Sequence, residues 1–133
     1  MGDFRKLRVW RAAHELMLEA HRVAMTLRGA HYLSLRSQII RAGMSIPTNI
    51  VEGRAQKSET AFKRFLGYSM ASTRELQYEM LAGRDTGAIS EDDYQSVETK
   101  AIEVLKMLSG LIARLEAANS SECPTDSEPA PPH

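Results

Sequence analysis

The histidines of this chain are His14, His21, His31 and His133, and their spacing limits the chemistry they can share. His14 and His21 are seven apart, which places them on one side of a helix but two turns from each other. That is too far for the i,i+4 pair that grips a metal. No Glu-x-x-His occurs, so the ligand pattern of carboxylate-bridged di-iron bundles is missing. The sequence has no nucleophile elbow, no phosphate-cradling glycine loop and no dinucleotide fingerprint. The acidic run Glu91-Asp92-Asp93 follows Ser90 and reads as a helix start, with acids at the positive end of the dipole. The lone Cys123 offers neither a disulfide framework nor a Cys/His metal set. These residues predict no enzyme, no cofactor and no bound metal, and no small-molecule substrate is evident.

Cations are the second candidate chemistry. Arg36, Arg41, Arg54, Lys57, Lys63 and Arg64 could form a phosphate-binding surface, and the last four cluster around one expected turn. The 17 Lys+Arg and 17 Asp+Glu cancel, but unevenly. Residues 1–64 hold 12 cations against 5 acids, and residues 65–118 hold 5 against 9. The asymmetry suits an RNA or DNA partner. It suits better two halves that neutralise each other within a bundle or between subunits. Phe62 and Phe65 read as core rather than as platforms for stacked bases.

The elements that must carry these residues are helical. Aromatics are 6% of the chain, and the apolar residues are mainly Ala, Leu, Met, Ile and Val beside many Arg and Glu. At 133 residues the size predicts one domain. A first helix is expected over about residues 7–27, with Trp10, Ala13, Met17, Ala20, Ala24 and Leu27 on one face and Gly29 as its stop. A second helix is expected from Ser34 as N-cap to Glu52, ended by Gly53. A third helix should begin at Ser58, turn Phe62, Phe65, Ser69, Ser72, Leu76 and Met80 inward, and end near Ala82. A fourth helix should follow Ser90, with a seam of Tyr94, Val97, Ala101, Val104, Leu108, Leu111 and Leu115. Residues 119–133 hold four of the five prolines among Ser, Glu, Asp and Thr, the composition of a disordered tail outside a domain of residues 1–118. The expected fold is an all-α, antiparallel, up-and-down four-helix bundle. No apolar run reaches the ~20 residues of a membrane span, and no secretory h-region opens the chain, so a cytoplasmic protein with no membrane partner is expected.

The second helix breaks the ordinary pattern. Pro47 stands in its interior, where the ring removes a hydrogen bond and crowds the preceding turn at a cost of roughly 3 kcal/mol. Leu35, Ile39, Ala42, Ile46 and Ile50 form one apolar line, and Ile40, Met44 and Val51 form a second. Gln38, Arg41, Ser45, Asn49 and Glu52 lie between them as a polar strip. A helix apolar over most of its circumference is buried over most of it, which predicts self-association near this helix. On this reading the motif is packing or interface, with Ser45 or Asn49 serving freed backbone groups and Glu52 pairing with Arg41 or with a neighbouring subunit. In the alternative, Asn49, Glu52 and Arg54 belong to a ligand or nucleic-acid surface.

Three stretches carry a family resemblance. They are Phe4-x-x-Leu7-x-Val9-Trp10-x-x-Ala13, then Ser37-Gln38-Ile39-x-Arg41-Ala42-x-x-Ser45-Ile46-Pro47-x-Asn49-Ile50-x-Glu52-Gly53, and Phe62-x-x-Phe65-Leu66 with Glu75-Leu76-Gln77-x-Glu79-Met80. Over about residues 4–115 the chain resembles the four-helix bundle protein family, also called the ribosomal-RNA intervening-sequence protein family. It is distantly similar to accessory proteins of diversity-generating retroelements. The resemblance implies a four-helix bundle that assembles as a homopentamer; some members are encoded within insertions in 23S ribosomal RNA genes, and the retroelement relatives work with a reverse transcriptase and nucleic acid, which makes RNA or DNA a candidate partner. The chain departs from the family pattern at Ile40-Arg41, where two basic residues are common, at Ala61, where a glutamate is common, and at Ala71-Ser72, where the family often has Gly-Ser. The first two departures remove charge. The function expected is a non-enzymatic oligomeric protein that binds nucleic acid through a basic surface, with a purely structural or protein-interaction module as the alternative.

Overall fold

A computed structural model describes the backbone of residues 3–122 and the side chains of residues 3–118. Four helices account for most of it: α1 (Arg8–Ala24), α2 (Leu33–Arg54), α3 (Glu59–Asp85) and α4 (Glu91–Glu122). Short 3-10 turns at Phe4–Lys6 and Ala30–Tyr32 precede α1 and α2, and there is no strand among the described residues. The protein is an all-α bundle. Helix α1 packs on α2, α2 on α3, α3 on α4, and α4 closes back on α1.

The contacts fix how the helices pass one another. Arg36 of α2 reaches the Leu27 carbonyl just beyond α1, and Gly43 lies against Ala20 and Met17. Between α2 and α3, Arg41 meets Glu75, Ser45 meets Ser72, and Gly53 meets Phe62 and Phe65. Between α1 and α4, Glu19 and Arg22 meet Ser96 and Asp93. On each face, residue numbers rise along one helix as they fall along the other.

Apolar residues at steps of three and four build one continuous core. It is made of Val9, Ala13, Leu16, Ala20 and Val23 from α1, Ile39, Ile46 and Ile50 from α2, Leu66, Leu76 and Met80 from α3, and Val97, Val104 and Leu108 from α4. The centre of the α1 face runs through Val9, Leu16 and Val23, while Trp10 and Met17 are only half-buried. On α3, Leu66 and Thr73 are buried, whereas Phe65 and Ser72 lie part-way out toward α2.

The helix starts at Ser58 and Ser90 are as expected, since their hydroxyls accept from Ala61 N–H and Asp93 N–H. The ends of α2 are not. Tyr32, not Ser34, occupies its N-cap, and the helix passes through Gly53 to Arg54. Gly53 is a packing glycine: a Cβ there would stand 2.8 Å from Phe65 Cβ. Helix α3 likewise runs through Gly83 to Asp85, and the left-handed turn falls at Gly87, φ 84°. Helix α4 continues to Glu122, four residues past the expected end of the bundle. The rest of the expected tail, residues 123–133, lies outside the described residues. Among those residues no helix is long and apolar enough to cross a membrane, and no cluster of metal-ligating side chains occurs.

Candidate functional site: a polar seam and a basic pole

Within the polar strip of α2, Arg41 and Ser45 find partners on α3. Pro47 has no N–H, so the Gly43 carbonyl loses its usual partner, and side-chain donors gather around the loosened turn. Asn49 Nδ2 donates to the Ser45 carbonyl at 2.9 Å, and Thr48 Oγ1 donates to the Met44 carbonyl at 2.8 Å. Ser69 Oγ reaches across from α3 to the Ile46 carbonyl at 2.8 Å. The Ser45 and Ser72 hydroxyls share a hydrogen bond of 2.7 Å. Small hydroxyl side chains therefore both let the helices approach and bond the Met44 and Ile46 carbonyls in the turn around the proline.

Further along the seam, Arg41 pairs with Glu75 at 3.0 Å, not with Glu52 as the sequence suggested. Glu52 is exposed in the last turn of α2, while Gln38 bonds back to Ser34. Glu79, one turn beyond Glu75, entered the sequence reading only within the third-helix resemblance and not as a site residue. It is 5% exposed and its Oε1 has no hydrogen-bond partner. Burial, followed by the charge and hydrogen bond of Glu75, pushes its carboxyl up to about 7. A glutamate inside the apolar phase of α3 is the signal that could have found it.

The six expected phosphate-binding cations do not form one surface. Arg36 sits at the far end of α2 and donates to the Leu27 carbonyl, and Arg41 is held in the seam. Arg54, Lys57, Lys63 and Arg64 stay together at the α2–α3 corner. The Arg54 guanidinium lies over Phe62 at 6.0 Å and that of Arg64 over Phe65 at 5.7 Å, so both rings brace cations.

This corner belongs to a larger basic pole. The first turns of α1, the end of α2, the start of α3 and the second half of α4 all meet at the same end of the bundle. Residues 3–16, 44–72 and 100–118 carry eleven Lys/Arg and six Asp/Glu. The opposite half, residues 17–43 and 73–99, carries six and eight. Folding thus converts the charge asymmetry along the sequence into a dipolar bundle.

Fold and seam together define an all-α four-helix bundle whose second helix carries an interior proline and is bound to the third by hydroxyl side chains. The chain belongs to the 23S rRNA-intervening sequence protein family, whose sequence profile matches residues 5–110. Its fold is similar to the 1.70 Å crystal structure of a protein with unknown function from the S23 ribosomal protein family of Bacteroides thetaiotaomicron. The TM-score is 0.71 at 23% identity, covering 78% of this chain and 97% of that one. No curated protein matches the chain.

Proposed function

We propose that this protein is a non-enzymatic, cytoplasmic homo-oligomer that binds nucleic acid through its basic pole. The charge separation between the two ends of the bundle carries this reading. Eleven cations at one pole present a field suited to phosphates, and the Arg54–Arg64 corner gathers Arg54 at the end of α2, Lys57 in the connecting turn, and Lys63 and Arg64 in the first turns of α3. The name of the family, tied to insertions in 23S ribosomal RNA, supports RNA as the nucleic acid. Pentameric assembly, as the sequence resemblance implies, would repeat the pole around a ring and multiply weak contacts.

An electrophoretic shift with a structured RNA hairpin, run across salt concentrations, tests the reading. Binding should weaken steeply as salt rises, and the triple variant K57A/K63A/R64A should weaken it further and flatten the salt slope. Absence of binding at low salt would overturn the proposal.

A second reading, a protein-interaction module alone, is favoured by a different observation. Met44 on the second apolar line of α2 is 47% exposed, with Ile40 and Val51 half-covered beside it. Self-association through that line would bury it without involving the basic pole.

A further inference from the structure

A cleft of about 370 Å³ opens where the start of α1 meets the stretch of α4 from Lys106 to Arg114. Lys6, Arg8, Lys106 and Arg114 line it, and no carboxylate does. The four come from segments a hundred residues apart, so only the packing of α4 on α1 brings them together. Among the described residues none of them forms an ion pair, in contrast to Arg22, Arg41 and Arg84. The Arg114 guanidinium lies 3.5 Å from where a Cβ would stand on Gly110, so the glycine leaves the cleft wall open beneath it. Leu7 caps α1 without a side-chain acceptor, and the first N–H groups of the helix, on Arg8 and Val9 of the cleft lining, have no partner within α1. Converging like charges repel, and a phosphate relieves that repulsion with charge-assisted hydrogen bonds.

The cleft does not end there. A second hollow of about 310 Å³ shares Lys6, Leu7, Arg8 and Met107 with it and adds Glu15 and Glu103 beside Arg5 and Arg11. The groove therefore passes from a stretch lined by four cations and no carboxylate, over Leu7 and Met107, to one where Glu15 and Glu103 offer acceptor oxygens among Arg5 and Arg11. An inorganic anion would use only the first part. A molecule with a phosphate at one end and hydroxyl or amino donors at the other would use all of it.

We infer that the α1–α4 groove binds a nucleotide phosphomonoester, its phosphate among Lys6, Arg8, Lys106 and Arg114 and its ribose or base donors at Glu15 and Glu103. The nucleotide can be free or the 5′-phosphorylated end of a strand. The site lies apart from the Arg54–Arg64 corner, but its four cations belong to the same basic pole, so the inference deepens the nucleic-acid reading proposed for that pole.

Calorimetric titration of the full chain with AMP at about 50 mM salt is the test, with thermal melting of every variant to confirm folding. Wild type should bind, K106A/R114A should bind about tenfold or more weakly, and the exposed-site control R28A should match wild type. E15Q/E103Q should weaken AMP while leaving inorganic phosphate unchanged. No AMP binding by wild type and none of a 5′-phosphorylated hexaribonucleotide, or equal affinity in K106A/R114A, would overturn the inference. If the hexaribonucleotide competes with AMP and its 5′-hydroxyl counterpart does not, the strand end is the source; if neither competes, it is the free nucleotide. The K57A/K63A/R64A variant should keep AMP binding whatever becomes of its hairpin binding, so the two readings fail separately.

Discussion

Glu79 is enclosed between α2 and α3 with one carboxylate oxygen unpartnered, and its nearest charged neighbour on its own helix is another carboxylate, Glu75. Arg41, on the facing helix, is engaged by Glu75 and only partly offsets the burial. The folded carboxyl titrates at about 7, against 4.5 for an unperturbed glutamate. The folded value lies above the unfolded one, so the native state holds this proton more tightly than the unfolded chain does. Its contribution is most favourable below about pH 4.5, declines as pH rises, and becomes a full penalty above about pH 7. Glu79→Gln should remove that slope. Urea unfolding at pH 8 should show the variant about 1–2 kcal/mol more stable than wild type, less than the whole shift would give because the neighbouring Glu75–Arg41 pair is solvent-exposed. At pH 5 the two should nearly coincide. Parallel pH profiles would mean that the carboxylate is hydrated and costs nothing.

Two glycines in α helices make opposite demands on the elements that hold them. At Gly53 a Cβ would come within 2.8 Å of Phe65 Cβ and 3.0 Å of Phe62 Cδ1, so the end of α2 rests directly on the first turns of α3. At Gly67 an added Cβ meets nothing within 4 Å. Gly53→Ala should cost about 1–3 kcal/mol by overpacking, while Gly67→Ala should gain about 0.5–1 kcal/mol from helix propensity alone. Chemical denaturation of both variants checks this, and equal effects would show that the α2–α3 contact yields easily. The same pair shows what was legible in the chain. Ser58 and Ser90 could be read as helix starts because a cap is local, a hydroxyl bonding an N–H three residues on. Gly53 looked like a helix stop because its real constraint, Phe62 and Phe65, belongs to another helix. Arg41 could be placed in a polar strip, but its partner Glu75 lies 34 residues away and had to come from packing. The Arg54–Arg64 corner was visible because a turn joins its residues in sequence. The cations of α1 and α4 were not, since nothing local connects Arg8 to Arg114.

At the scale of the whole molecule, the bundle uses one apolar line of α2 for its own core and leaves the second incompletely covered. Ile39, Ile46 and Ile50 are fully buried, whereas Met44 keeps 47% of its surface in contact with water and Ile40 and Val51 are half-buried. Gly43 brings α2 close to α1 at Ala20 and Met17, so the half-buried Met17 adjoins this surface. Scattered apolar exposure is ordinary on a monomer, but an apolar line along a helix already apolar on its other face is the pattern of an interface. We expect light scattering to give a mass several times that of one chain at micromolar concentration. Met44→Glu should reduce it to the mass of a single chain with helical circular dichroism intact, because Met44 contributes little to the core of its own subunit. Its thermal midpoint should also lose the concentration dependence that assembly confers on wild type. A wild-type monomer would remove self-association from the proposed function. An intact oligomer in Met44→Glu would move the interface to another face, while the basic pole, built within one subunit, would keep its salt-dependent behaviour in either case.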